Sequence, residues 1–149
     1  FSVEQNLTAA LIYKLTGFVE FTNAPSQFTM CFSGKNGWAI SEVLEAKLKE
    51  GKLKQSINVL KHSALSKIEP LSCQFIYISP ASRLEKNTIR RLSRDTLTIS
   101  DNDDFRNIGH ISSIHFENAK PVISISKKNL KSSNIELSSR LLSSITVKP

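Results

Sequence analysis

Leu97-Thr98-Ile99-Ser100-Asp101-Asn102-Asp103-Asp104-Phe105, followed by Gly109-His110-Ile111, is the stretch from which the fold is read. Leu97 to Ser100 has the β-branched, apolar composition of a buried strand, and the Asp/Asn run after it has the composition of a turn. Two alternating segments come next, Ile111 to Phe116 and Val122 to Ser126, joined through Glu117-Asn118-Ala119-Lys120-Pro121. Two strand-like runs separated by a short polar loop predict a hairpin. Asn134 to Leu142 then reads as a polar-to-apolar helical turn returning onto the sheet.

Upstream, Phe75-Ile76-Tyr77-Ile78 is almost wholly apolar, as a strand covered on both faces would be, and Pro80 ends it. Ser82 to Leu92 predicts a basic helix with Leu84, Thr88, Ile89 and Leu92 on its inner side. Phe28 to Ser33 predicts a strand, and Gly34 and Gly37 permit a tight turn after it. Trp38 to Leu53 repeats apolar residues at Ile40, Val43, Leu44 and Leu48, with Ser41 as a cap candidate and Gly51 as a stop. Ser56 to Leu60 reads as a further strand, and Leu65 to Leu71 as a connection with Pro70 near its end. Val3 to Phe21 carries Leu7, Ala10, Leu11, Leu15 and Phe18 at helical spacing, interrupted mainly at Lys14, which predicts an amphipathic helix.

Strand-helix alternation predicts parallel pairing. The expected architecture is a three-layer α/β/α sandwich: a mostly parallel sheet of about five or six strands, helices on both faces, and an antiparallel hairpin near one edge. No repeat, linker or low-complexity tract divides residues 1–149, so a single domain is expected.

Of the 149 residues, 40% are hydrophobic and 22% charged, ordinary for a globular chain, and no apolar run reaches the roughly 20 residues that a membrane helix needs. The net charge of +7 raises nucleic acid, an anionic membrane surface or an acidic partner as possibilities. Its distribution weakens the first. Lys47, Lys49, Lys52 and Lys54 fall around the end of one helix, Arg83, Lys86, Arg90, Arg91 and Arg94 on another, and Lys127, Lys128 and Lys131 after the hairpin. Few aromatics accompany these runs to stack bases, and no nucleic-acid motif is present.

Catalytic and cofactor signatures are equally absent from the sequence. Ser33-Gly34-Lys35-Asn36-Gly37-Trp38 stands between a strand and a helix but matches neither a dinucleotide nor a Walker pattern, so a structural turn is expected. His62, His110 and His115 lack metal-ligand spacing. Asp101 to Asp104 suggests calcium only superficially, because Arg106 and Ser112 occupy the positions where an EF-hand needs Gly and Glu; an Asx-rich turn is the plainer reading. No nucleophile elbow surrounds any serine. No enzymatic activity and no cofactor are expected. Cys31 in one strand and Cys73 at the start of another are either small core residues or, if their strands are neighbours with α-carbons within about 7 Å, a disulfide.

The order of segments resembles the YfiR-like family of small periplasmic bacterial proteins. Ala9-Ala10-Leu11-Ile12-Tyr13-Lys14-Leu15 with Phe18-Val19-Glu20-Phe21 matches the family's Ala-rich, aromatic-ended helix, with Phe21 in place of the usual Trp. Phe28 to Gly34 and Cys73 to Ser79 match further segments, including both cysteines. His110 stands where a second Gly is usual, and Ile123-Ser124-Ile125-Ser126 replaces a Phe-Glu-Ile-Asn-like strand. The resemblance implies an oxidising periplasm, hence a Cys31–Cys73 disulfide. A chain that begins at Phe1 rather than Met suits either a mature secreted protein whose signal peptide has been removed, as a periplasmic location requires, or a trimmed form of a longer chain. The resemblance also implies a repressor that binds the periplasmic sensor domain of an inner-membrane GGDEF diguanylate cyclase. Such a protein lowers cyclic di-GMP and biofilm formation, and is sequestered by an outer-membrane, peptidoglycan-associated lipoprotein. A homodimer is expected on the same ground and by base rate. Aromatic and Arg residues are the usual interface anchors, which makes Trp38, Phe105, Arg106 and Arg140 the partner-binding candidates; Trp38 and Phe105 suit a core equally well. The competing expectation is a solute-binding or sensor module serving a transporter or receptor, with its pocket at the strand ends near Ser33, Ser79 and Asp101.

Overall fold

A computed structural model describes residues 1–22, 25–51, 53 and 56–148. The order is α1 (Val3–Leu15), β1 (Val19–Phe21), β2 (Phe28–Ser33), α2 (Lys35–Lys49), β3 (Ile57–His62), β4 (Phe75–Ile78), α3 (Lys86–Leu92), β5 (Leu97–Ser100), α4 (Phe105–Ile108), β6 (Ser112–Glu117), β7 (Lys120–Ser126), α5 (Lys127–Lys131), β8 (Ile135–Leu137), α6 (Ser139–Ser144) and β9 (Thr146–Lys148). Single 3₁₀ turns occupy Leu65–Lys67 and Arg83–Glu85.

The main sheet has the order β3-β2-β4-β5-β6-β7-β9. Its first five members are parallel; β7 runs antiparallel to β6, and β9 runs parallel to β7. The period-two alternation of each strand divides two cores between the two faces. Met30, Phe32, Phe75, Tyr77, Leu97 and Ile99 point to one face, under α1 and α2, with Ala9, Ile12, Leu15, Ile40, Val43 and Leu44 above them. Cys31, Ile76 and Ile78 point to the other, where Ile89 and Leu92 of α3, Ile108 of α4, and Leu65 and Ile68 cover them. This is the expected α/β/α sandwich with a hairpin near one edge; the C-terminal β9, unread in the sequence, extends the sheet to seven strands.

The disulfide implied by the resemblance joins Cys31 to Cys73, with 6.0 Å between α-carbons. It lies on the second face and fastens β2 to the residue that leads into neighbouring β4.

Several boundaries differ from expectation, each for a local reason. The helix expected over Val3 to Phe21 stops at Leu15, and Val19–Phe21 pairs antiparallel with Ile135–Leu137 in a small second sheet. Phe21 makes an aromatic cluster with Phe28 and Phe75, centroids 5.5–5.7 Å apart, which fixes β1 against the main sheet. On α1 the buried face is Thr8, Ala9, Ile12 and Leu15, whereas Leu7, Ala10 and Lys14 face solvent. Helix α2 begins at Lys35, so Ser41 is not its cap but lies within it, its hydroxyl donating to Trp38 O at 2.6 Å. Gly51 follows the helix with φ +70, as a stop residue should, while Lys52 and Lys54 lie outside the described residues. Leu84, expected inside, is 97% exposed because the first turn of that segment is 3₁₀ rather than α. The hairpin loop tightens to Asn118-Ala119, both at positive φ, the two-residue turn that matches strand twist. Asn134 to Leu142 splits into strand and helix at Ser138, whose hydroxyl accepts from Leu141 N.

Candidate functional site

In a parallel sheet, ligand sites gather at the carboxyl ends of strands where the winding direction reverses. Here the chain passes from β2 outward to β3 and then crosses back to β4 on the other side of β2, so the reversal lies between Ser33 and Ile78. Gly34 makes the connection possible. Its φ is +86, and a β-carbon there would collide with the carbonyl group of Ser79. That same carbonyl accepts from Gly37 N at 3.0 Å, so the end of β4 occupies an amide at the start of α2. The turn is structural, as its sequence indicated.

Around it a chain of polar side chains links four elements. Gln5 Nε2 of α1 donates to Asn36 Oδ1 at 3.0 Å, Asn36 Nδ2 donates to Ser79 Oγ at 2.9 Å, and Ser79 Oγ donates to Asp101 Oδ2 at 2.8 Å. The other Asp101 oxygen accepts from Ala81 N at 3.3 Å. These groups border an open cleft of about 610 Å³ whose far wall is Ile114, His115 and Glu117. Its ionisable lining is Glu4, Asp101, Asp103 and Glu117 with Tyr77 and His115, and among the described residues that line it there is neither Lys nor Arg. His115 is held between Ser113 Oγ at 3.3 Å and Glu117 Oε1 at 3.2 Å. Burial pushes the Tyr77 phenol up to about 12, with the Ser79 hydrogen bond opposing and the Asp101 charge adding to the rise, so Tyr77 stays neutral. The cleft offers hydroxyls, side-chain amides and carboxylates with a negative balance, a lining that suits a cationic or amine-bearing molecule. The hydroxyl hydrogen of Ser79 is committed to a carboxylate.

Of the three residues expected to frame a strand-end pocket, the structure brings Ser79 and Asp101 together in this cleft, while Ser33 is buried beneath it and accepts from Ser79 N at 3.0 Å. Gln5, Asn36, His115 and Glu117 went unrecognised in the sequence. Asn36 carried a signal in its position directly after a strand-Gly turn; the others come from distant segments. The acidic run is the expected Asx turn: Asn102 Oδ1 accepts from Asp104 N at 3.0 Å. Asp104 also accepts from Asn107 at 2.8 Å and pairs with Arg83, and these contacts, the Asn107 hydrogen bond first, hold its carboxyl below the usual range.

A second opening of about 610 Å³ adjoins the cleft, where Gln5 of α1 faces Trp38, Ala39 and Glu42 of α2 and Pro80. Trp38 is 39% exposed, its indole donating to His62 O at 3.1 Å. Phe1, Val3 and Leu7, on or just before α1, are exposed as well. The other sequence candidates lie apart from this surface. Phe105 is fully buried, so of its two readings the core one describes its place. Arg106 stands on α4, in the layer covering the opposite face of the sheet. Arg140 of α6 is exposed, its guanidinium 5.7 Å from the centre of the Phe18 ring. Cys31, His62 and Cys73 place their side-chain donors within 4.8 Å of one another, but both sulfurs are spent in the disulfide. No described helix is long and apolar enough to cross a membrane.

A doubly covered, mostly parallel sheet with a polar cleft at its winding reversal and apolar side chains exposed beside it defines a small α/β domain. The chain belongs to the YfiR/HmsC-like family, whose model matches residues 5–144. Among solved structures it is similar to a conserved domain protein from Vibrio cholerae O1 biovar El Tor strain N16961, with a TM-score of 0.58 and 13% identity. That similarity covers 97% of this chain and 60% of the other, and it is a likeness of fold. No curated protein matches.

Proposed function

We propose that this protein is a periplasmic regulatory binding protein, acting as one domain, that represses a membrane-bound diguanylate cyclase by binding its periplasmic sensor domain. The observation that carries the reading is membership of the YfiR/HmsC-like family over residues 5–144. Regulation rather than catalysis is the role that this membership implies. A partner sequence must be gripped by side chains available at the surface; Trp38 is of the kind that anchors interfaces, and Leu7 and Val3 add exposed apolar area beside it. Repression requires that the protein bind the inactive conformation of the cyclase more tightly than the active one, since equal affinity shifts nothing. An outer-membrane, peptidoglycan-associated lipoprotein would relieve repression by competing for the repressor, and the working species is a homodimer.

The test is affinity capture of the tagged protein, expressed in the periplasm, from detergent-solubilised membranes, with mass spectrometry of its companions. Enrichment of an inner-membrane GGDEF protein is expected, and its loss on Trp38→Ala; enrichment of a transporter or receptor in its place overturns the proposal. One feature favours a second reading. The acidic cleft at the strand ends is sized for a small molecule, which suits a sensor or solute-binding module serving such a transporter or receptor. Ligand-dependent thermal stabilisation by amine-bearing solutes, abolished by Asp101→Asn, is its signature.

A further inference from the structure

On the face of the sheet opposite Trp38, a groove of about 620 Å³ runs between α3, α4 and α5. Lys86, Arg90 and Arg94, Arg106, and Lys128 come to it from three separate segments. Among the described residues that line it none is acidic. Of the acids nearest in sequence, Asp104 pairs with Arg83 and Asn107, Asp95 accepts from Asn134 Nδ2 at 2.9 Å, and Glu85, beside Lys86, does not line the groove. Lys86, Arg90 and Arg94 are spaced four apart along one side of α3 and its following turn. Like charges at that spacing repel one another and weaken a helix, a cost that an anion lying along them would remove.

The walls are fixed rather than loose. Gly109 lies at φ +101 with Arg90 packed directly over it, so close that a β-carbon would collide with the Arg90 side chain and stand 3.4 Å from its backbone nitrogen. Ser93 Oγ donates to Gly109 O at 2.8 Å, tying α3 to the end of α4. Asn129 Nδ2 donates to His110 O at 2.8 Å and to Arg106 O at 3.2 Å, tying α5 to the same segment. The cations therefore project from elements held in place before any ligand arrives, which is how a binding site avoids the cost of ordering.

We propose that this groove is a binding site for a soluble anion bearing two or more phosphoryl groups. Five cations in one concave site exceed what a monocarboxylate requires, and the planar forks of three arginines match phosphoryl oxygens in pairs. The volume lies within the range of small-molecule sites, roughly 300–1,000 Å³. Concavity favours a discrete molecule over the flat surface of a bilayer. The assignment does not depend on the repressor reading, because it concerns a different face and a different ligand.

The test is calorimetric titration of the full chain with inorganic pyrophosphate at low and moderate salt, alongside sedimentation with phosphatidylglycerol vesicles. Saturable pyrophosphate binding that weakens with salt is expected, reduced by roughly tenfold or more in Lys86→Ala/Lys128→Ala, both surface positions, and further in Arg94→Ala/Lys128→Ala. Lys47→Ala/Lys49→Ala on α2 removes the same charge outside the groove and should bind as the parent does; thermal unfolding checks that each variant is folded. Absence of saturable binding at millimolar pyrophosphate, an equal loss in the α2 variant, or retention by vesicles without pyrophosphate binding each overturns the assignment.

Discussion

His110 is fully buried at the end of α4, and neither ring nitrogen has a hydrogen-bond partner among the described residues. Burial pushes its pKa from 6.5 down to about 4, with the polar backbone of Phe105, near the ring but not in a formed hydrogen bond with it, opposing the shift. The native state therefore holds a neutral ring where the unfolded chain would take up a proton. A pKa depressed in the folded state makes the unfolded chain the better proton binder between the two values, so stability falls as pH drops from about 6.5 toward 4 and is retained above 6.5. At about 1.4 kcal/mol per unit the loss is about 3 kcal/mol across that window, a large part of the margin of a small domain. Urea unfolding at a series of pH values measures it directly. In His110→Leu, which fills a similar volume without ring nitrogens, this component of the pH dependence should vanish and neutral-pH stability should hold or rise. Carboxylates such as Asp104, whose lowered pKa adds a loss at lower pH, contribute equally to both proteins and cancel in the difference. Equal pH slopes for the parent and His110→Leu between pH 6.5 and 4 would refute the reasoning.

Three other outcomes are expected. Cys31→Ala/Cys73→Ala opens a loop with a sequence separation of 42 and should cost about 4 kcal/mol by the chain-entropy relation, read as a lowered urea midpoint against the oxidised parent. Gly34→Ala forces a side chain into the Ser79 carbonyl at positive φ and should destabilise by about 1–3 kcal/mol or more, seen as a fall in Tm; Gly51→Ala shares the positive φ but meets nothing within 4 Å, so it should cost less. Leu7→Glu and Trp38→Ala alter side chains that are 37% and 39% exposed, so each should lower the unfolding free energy by about 1–2 kcal/mol through lost packing, and in Trp38→Ala through the indole bond to His62 O, without unfolding the domain, while weakening capture of the partner.

What could be read in the sequence follows from how far each signal extends. Strand β4 is buried on both faces and announces itself as a continuous apolar run, β2 and β5 alternate apolar with small residues as strands do, and the alternation of strand with helix implied the parallel pairing that the sheet shows. The small β1–β8 sheet was illegible because three-residue strands carry no usable period, and Val19 pairs with Leu137, far along the chain. The face of α1 was misassigned because Leu7 and Ala10 share the helical spacing of a core stripe while Thr8 and Ala9 fill the interior. Among the candidate residues, burial divided what composition could not: Trp38 lies half in solvent and Phe105 wholly inside. The basic residues fall in separate runs along the sequence, and only the packing of α3, α4 and α5 gathers five of them round one groove.

The repressor account stands most directly on cyclic di-GMP itself, measured by mass spectrometry in cells carrying the cyclase before and after deletion of this protein. The account predicts a rise on deletion, reversed by the parent protein supplied to the periplasm and not by Trp38→Ala. An unchanged cyclic di-GMP level in the deletion strain would contradict it.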